Sequence, residues 1–217
     1  SQAGYTDRVS ATAERIGTAP DAAAAQRLLI EGIGVLGAHS ALFASVVRDG
    51  RDAAACRFML ACEPDGWRPD LDGDGLLQDP WLIHAAHHAA PVVARLLPQA
   101  ERGGHALLGP AQRAGFRSTL LVPAHCGPGQ ARFGLLALGS PLAAFFEDEG
   151  LPRFRIGARA LATELHDWWQ ARLRRDLLAR ARLTPAELAL LQHEQHGRNS
   201  KLIARALDVT PRAIDSR

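Results

Sequence analysis

Three histidines at helical spacing are the residues best placed to bind a metal ion. His84, His87 and His88 follow Asp79, an expected N-cap with proline after it, in a segment that predicts a helix through Leu97. Spacings of three and four residues can place two imidazoles on one helix face, as zinc sites use. No third ligand can be identified, so we expect exposed or hydrogen-bonded histidines and predict no metal site.

An acidic stretch, 70–75, reads DLDGDG and imitates the first half of a calcium-binding EF-hand loop. The twelfth position of such a loop supplies a bidentate glutamate, but here it is Trp81. We therefore predict a solvated acidic loop.

Motifs for nucleophilic catalysis or cofactor binding are missing. The sequence has no G-x-S-x-G, H-E-x-x-H, P-loop or C-x-x-C pattern. His125 and Cys126 are adjacent, so in a strand their side chains would point to opposite faces, which is poor geometry for a base and its nucleophile. We predict neither an enzyme nor a bound cofactor.

Residues 183–217 carry apolar side chains at helical spacing in three short segments, which are separated at Gly197 and at Asp208. Thr184, followed by proline and then Glu187, forms a capping box that opens the first helix, and Thr210 can cap the third. This pattern predicts a helix-turn-helix whose last helix enters the DNA major groove. The candidate DNA contacts are Lys201, Thr210, Arg212, Ser216 and Arg217.

This segment resembles the C-terminal DNA-binding domain of the LuxR-type quorum-sensing regulators. The matching letters are Leu183-Thr184-Pro185, Glu187, Gly197, Ser200-Lys201, Ile203-Ala204, Leu207, Val209, Thr210 and Arg212. The resemblance implies a transcriptional regulator that binds double-stranded DNA at an inverted repeat as a homodimer. Two departures stand out. Asp215 replaces a usually basic or polar residue, and the sequence ends at Arg217, partway through the expected recognition helix.

Helical patterns at 10–36, 110–115 and 142–182 flank four short apolar segments, 41–47, 56–61, 118–122 and 132–138, which predict strands. Strands between helices predict a three-layer α/β/α sandwich of the α+β class. We predict a sensor and dimerisation domain at 1–175, a linker at 176–182 and an all-α helix-turn-helix domain at 183–217.

The first part of the chain also resembles the LuxR family, whose sensor domain holds an acyl-homoserine lactone between an antiparallel sheet and helices. The matching landmarks are Trp67, Asp79-Pro80, Pro91, Gly115 and Pro123. The resemblance implies that Asp79 accepts the ligand amide N–H and that Trp67 donates its indole N–H to the lactone carbonyl. Two simpler interpretations stay open: Asp79 as a helix cap only, and Trp67 as a core aromatic only.

The rest of the expected lactone pocket has changed. Leu71 replaces a tyrosine, Ala94 a tryptophan, Thr119 a glycine, and Ala137 a serine or threonine. The two lost hydroxyls remove two hydrogen bonds, each worth about 0.5–1.5 kcal/mol. The lost tryptophan removes a large apolar wall. We therefore expect little or no binding of a standard lactone, and a regulator that responds to another small molecule or acts without ligand.

Charge is unevenly distributed. Residues from Leu151 onward hold 13 basic and 7 acidic side chains, whereas the preceding residues hold 12 and 16. A basic C-terminal part suits a polyanion. The three cysteines cannot all pair, and no secretory or membrane-spanning run is present, so we predict a cytoplasmic protein.

Dimer contacts are expected from an apolar set on the linking helix: Leu165, Trp168, Trp169 and Leu173. One alternative function stays open at this point. The chain could be an interaction protein that inhibits a related regulator by heterodimerisation.

Overall fold

A five-stranded antiparallel sheet forms the centre of the computed structural model, which describes residues 2–48, 54–60, 78–97, 107–125, 132–148 and 151–181. Its strands are β1 (Ser40–Arg48), β2 (Ala54–Leu60), β3 (Val92–Val93), β4 (Ser118–Ala124) and β5 (Arg132–Ser140). They lie in the order β2-β1-β5-β4-β3. Every residue of β4 is buried, because the sheet is covered on both faces.

Helices cover the two faces of the sheet. They are α1 (Gln2–Gly17), α2 (Ala22–Leu36), α3 (Pro80–His87), α4 (Leu108–Arg113), α5 (Phe145–Asp148) and α6 (Leu151–Ala181). Alternation along β1 assigns the faces: Phe43 joins the core formed with α1, α2 and α6, whereas Leu42 joins the core formed with α3 and α4. The prediction of an antiparallel sheet between helices is confirmed.

The chain divides into two compact units, residues 1–170 and 171–217. The first unit contains every strand that the structure describes. In the second, residues 171–181 are described and form the end of α6. The five candidate DNA contacts in 183–217 lie outside the described residues, so the helix-turn-helix and the boundaries at 175 and 183 stay predictions. Within the described ranges, no helix has the length and apolar character needed to cross a bilayer.

The helix predicted from Asp79 through Leu97 is wrong in its second half. Helix α3 ends at His87, and Val92–Val93 form an edge strand paired with Leu121 and Leu120 of β4. A 3₁₀ turn, Ala94–Leu96, follows. Pro91 explains the difference, because proline removes a backbone donor and forces the residue before it out of the helical region.

Two of the expected dimer contacts are instead core residues. Leu165 and Trp168 are 0% and 3% exposed and pack in the core with α1 and α2. The Trp168 indole N–H donates to the Ala19 carbonyl at 2.7 Å, which fastens α6 to the segment between α1 and α2. Trp169 packs partly buried against the same core. Leu165, Trp168 and Trp169 therefore stabilise the unit itself. Leu173 is half-buried, and its role in dimer contacts stays a prediction.

Gly139 on β5 permits the close packing of Phe116 on the sheet. A Cβ atom at Gly139 would come within 2.5 Å of two ring carbons of Phe116. We expect Gly139→Ala to lower the free energy of unfolding by about 1–3 kcal/mol, because the ring must leave its position. Urea denaturation with an unchanged m-value measures this.

Gly34 offers a matched control, since it lies on the exposed side of α2 and a Cβ there meets nothing within 4 Å. Gly34→Ala should stabilise the protein by up to about 1 kcal/mol, because alanine loses less backbone conformational entropy than glycine when the helix forms. Equal stability of Gly139→Ala and the wild type would show that the packing of Phe116 is looser than described.

Candidate functional site

A cavity of about 200 Å³ lies at the end of the sheet where α3, α4, the 3₁₀ turn and the start of β4 meet. Among the described residues that line it, half are apolar: Pro80, Trp81, Ala94, Leu97, Leu108 and Phe116. The other half is polar or charged: Arg95, Gln112, Arg117, Ser118, Thr119 and Glu147. This mixture suits a ligand with an apolar body and a polar or charged end.

The apolar wall is held rigidly. Trp81 and Phe116 are each 2% exposed and belong to the core between α3, α4 and the sheet. Gly115 has φ +85°, a left-handed conformation that turns the chain from α4 into the stretch carrying Phe116. The backbone N–H of Arg117 then donates to the Ser140 carbonyl at 2.9 Å, which aligns the start of β4 with the end of β5.

The charged end is built by a short chain of contacts. The Ser118 hydroxyl donates to Glu147 Oε2 at 2.5 Å and accepts the backbone N–H of Phe146 at 3.1 Å. Arg95 Nε lies 3.5 Å from Glu147 Oε1. The Arg95 side chain is 74% exposed and that of Glu147 is 16% exposed, so solvent weakens this ion pair.

Two of the predicted ligand-binding residues line the cavity. Ala94, in the 3₁₀ turn, and Thr119, on β4, come from parts of the chain 25 residues apart and meet there. Ala137 on β5 is fully buried beneath the same sheet face, paired with Leu121, and does not line the cavity. Trp67 and Leu71 lie outside the described residues, as does the acidic stretch 70–75.

Asp79 is fully buried next to two of the lining residues but is not itself part of the lining. Its Oδ1 accepts the backbone N–H of Trp81 and its Oδ2 accepts that of Leu107, both at 2.9 Å. One carboxylate therefore caps α3 and fastens the start of α4 to it. A ligand amide would have to share these acceptor oxygens.

Two of the three histidines, His84 in α3 and His88 directly after it, make contacts within their own segment. His84 Nε2 lies 3.1 Å from the Ala90 carbonyl oxygen, and its ring stacks on that of His88 at 4.7 Å. Burial lowers the pKa of His84 most strongly; the hydrogen bond to Ala90 opposes this shift and the nearby His88 adds to it. Among the residues that the structure describes, no three His, Cys, Asp or Glu side chains are grouped as metal ligands.

A further polar cluster lies across the sheet from the cavity. His166 on α6 is 4% exposed, and a Cβ at Gly134 on β5 would lie 2.9 Å from its Nδ1. Burial lowers the pKa of His166; Asp167 raises it, and His125 lowers it further. The buried hydroxyl of Ser45 belongs to the residue paired with Gly134. Sequence patterns did not indicate this cluster, and it belongs to the core that α6 covers.

Sequence reasoning also missed the charged lining of the cavity. Arg95, Arg117 and Glu147 reach it from the 3₁₀ turn, the start of β4 and α5. No local motif marks them, since their grouping depends on the pairing of β4 with β5 and on the Ser118 contact to α5.

No protein-family model and no curated protein sequence matches this chain. Solved structures do. The N-acylhomoserine lactone dependent LuxR-family transcription factor CepR2 from Burkholderia cenocepacia is similar with a TM-score of 0.59 and 19% identity, over 79% of this chain and 98% of CepR2.

SdiA is similar as well. The complex of SdiA with octanoyl-rac-glycerol gives a TM-score of 0.57 and 13% identity, over 95% of this chain and 83% of that chain. A second structure, of Escherichia coli SdiA, gives a TM-score of 0.54 and 13% identity, over 93% of this chain and 83% of that chain. The structural neighbours of this chain are therefore LuxR-family quorum-sensing regulators, and its strand-and-helix unit has the fold of their autoinducer-binding domain.

Proposed function

We propose that this chain is a dimeric, DNA-binding transcriptional regulator of the LuxR type. In this proposal, residues 1–175 form the sensor and dimerisation domain, residues 176–182 form the linker, and residues 183–217 form the helix-turn-helix domain. The observation that carries the proposal is the shared fold with CepR2, which extends over nearly all of that chain. The helix-turn-helix letters at 183–217 and the basic charge of the C-terminal part support the DNA-binding half.

The ligand of this regulator is proposed to differ from a standard acyl-homoserine lactone. CepR2 depends on such lactones, whereas the SdiA structure is a complex with octanoyl-rac-glycerol, so one fold holds different ligands. In this chain Ala94 provides no indole wall, and both oxygens of Asp79 already accept backbone N–H groups. These features favour a ligand that does not need the lactone and amide contacts.

Ligand binding would act on DNA binding through stability and dimer population. A ligand that binds only the folded sensor stabilises it by RT ln(1 + [L]/Kd), about 2.7 kcal/mol at a hundredfold excess over Kd. A larger folded, dimeric population then presents two recognition helices to the operator. Two-fold symmetry predicts half-sites about one helical turn apart, in an inverted repeat.

Selection from a random duplex library tests this proposal. The full-length protein, as its gene encodes it, is mixed with the library at fixed salt, because phosphate contacts make affinity depend on salt. We expect retained duplexes to converge on an inverted repeat. Retention with no enriched sequence, or no retention, would contradict the proposed function.

A further inference from the structure

We propose that His166 makes the packing of α6 on the sheet an acid-sensitive switch, which weakens the first compact unit when the imidazole gains a proton. His166 lies in the part of α6 that belongs to residues 1–170. The proposal needs neither a ligand in the cavity nor DNA, so it goes beyond the proposed function and can fail independently of it.

The imidazole ring of His166 packs directly on β5 at Gly134. His166 is 4% exposed, and a Cβ atom at Gly134 would lie 2.9 Å from its Nδ1 and 3.2 Å from the Phe43 ring. Strand pairing places Ser45 of β1 on one side of Gly134 and Ala124 of β4 on the other. A charge formed on this imidazole would be buried against the central strand of the sheet, where little water can solvate it.

Two buried polar atoms at this contact have no hydrogen-bond partner among the described residues: Nδ1 of His166 and the hydroxyl of Ser45. A neutral imidazole can leave Nδ1 without a proton, whereas an imidazolium carries a proton on both ring nitrogens. Protonation would therefore place an N–H donor at Nδ1 that finds no acceptor among those residues. An unsatisfied buried donor and a buried charge both favour the unfolded chain.

The charged groups around His166 do not offset its burial. Burial is the largest effect and lowers the pKa of His166, the exposed Asp167 raises it, and His125, directly after β4, lowers it. The carboxylate of Glu164 lies on another side of α6, because a Cβ atom at Gly17 in α1 would come within 2.6 Å of its Oε2.

The neighbouring strands add positive charge. Arg132, at the start of β5, donates to the side chain of Gln170 at 3.4 Å, one turn along α6 from His166. On β2, Arg57 is the register partner of Ser45. Fixed positive charges on these strands oppose a further positive charge on the imidazole.

Acid should therefore destabilise the protein through His166. The pKa of this residue in the folded protein lies below its ordinary value of 6.5, so the unfolded chain binds the extra proton first as the pH falls. The stabilisation is complete above pH 6.5 and is lost as the pH falls below that value and through the folded pKa. In the proposed regulator this effect opposes that of a ligand, which raises the folded population.

Urea denaturation of the full-length protein at about pH 8 and about pH 5.5 tests the proposal. From the higher to the lower pH, the folded-to-unfolded ratio of the wild type should fall about three- to tenfold more than that of His166→Gln, because glutamine does not titrate. His87→Gln removes an exposed histidine of α3 by the same chemical change and should keep the wild-type loss. An equal fall in the wild type and His166→Gln, or the same reduction in His87→Gln, would overturn the proposal.

Nuclear magnetic resonance of the wild type gives a second measurement that does not depend on a folded variant. The Cε1–H signal of His166 should move at a lower pH than that of histidine in a short unstructured peptide, because the buried ring stays neutral. A His166 signal that moves at the same pH as the peptide contradicts the proposal, even if His166→Gln does not fold. Neither experiment measures DNA binding, so failure of the proposed function would leave both results unaffected.

Discussion

Replacement of Asp79 by alanine should lower the free energy of unfolding by about 2–4 kcal/mol, even with no ligand present. The Asp79 carboxylate is fully buried and accepts the backbone N–H groups of Trp81 and Leu107, each at 2.9 Å. Alanine leaves both donors without an acceptor in a buried site, and each unsatisfied group costs about 1–3 kcal/mol. Urea denaturation of the unliganded protein measures the effect.

Asp21 provides the matched control, because it caps α2 through a single hydrogen bond to the Ala24 N–H and is exposed. Asp21→Ala should cost about 1 kcal/mol, as a surface N-cap does. Asp79→Asn should also be costly, since its amide group would turn a donor toward one of the two N–H groups. If both alanine variants lose the same stability, the bond to Leu107 contributes nothing and Asp79 is an ordinary cap.

Replacement of Trp168 by alanine should lower the free energy of unfolding by about 3–5 kcal/mol, the usual cost of removing a large buried aromatic. Trp168 is 3% exposed and its indole N–H donates to the Ala19 carbonyl. The variant leaves a cavity and also removes the hydrogen bond between α6 and the segment before α2. Trp169→Ala should cost clearly less, because that side chain is only partly buried and makes no hydrogen bond through its Nε1 atom within the described residues.

The same pair of variants separates a core role from a role in dimerisation. Sedimentation of folded Trp168→Ala under native conditions should give the wild-type oligomeric state, because the side chain is covered by its own chain. A dissociated but stable Trp168→Ala protein would mean that this residue contacts a partner subunit.

The sequence predicted the main layers of the fold because their patterns are local. Apolar segments such as 118–122 and 132–138 are strands in the structure, and the helical pattern at 10–36 covers the second half of α1 and all of α2. The short strand Val92–Val93 was missed because its two residues carry no periodicity of their own. It exists only because Leu120 and Leu121 of β4 pair with it.

The candidate site was predicted only in part, and for a related reason. Ala94 and Thr119 came from the family resemblance, and both line the cavity. The resemblance did not indicate Arg117 and Glu147. These two residues line the same cavity only because α5 packs on β4 through the hydrogen bonds of Ser118. Asp79 was given two roles by the sequence, and its two backbone hydrogen bonds support the cap.

The most direct test of the proposed regulator is the dissociation constant of the full-length protein for the duplex that selection enriches, measured by fluorescence anisotropy at one salt concentration. We expect this duplex to bind about a thousandfold or more tightly than a shuffled duplex of the same length, as specific sites do. Arg212→Ala should weaken that binding about tenfold, consistent with loss of one major-groove or phosphate contact. Equal affinity for the enriched and shuffled duplexes, with no effect of Arg212→Ala, would contradict sequence-specific DNA binding by this protein.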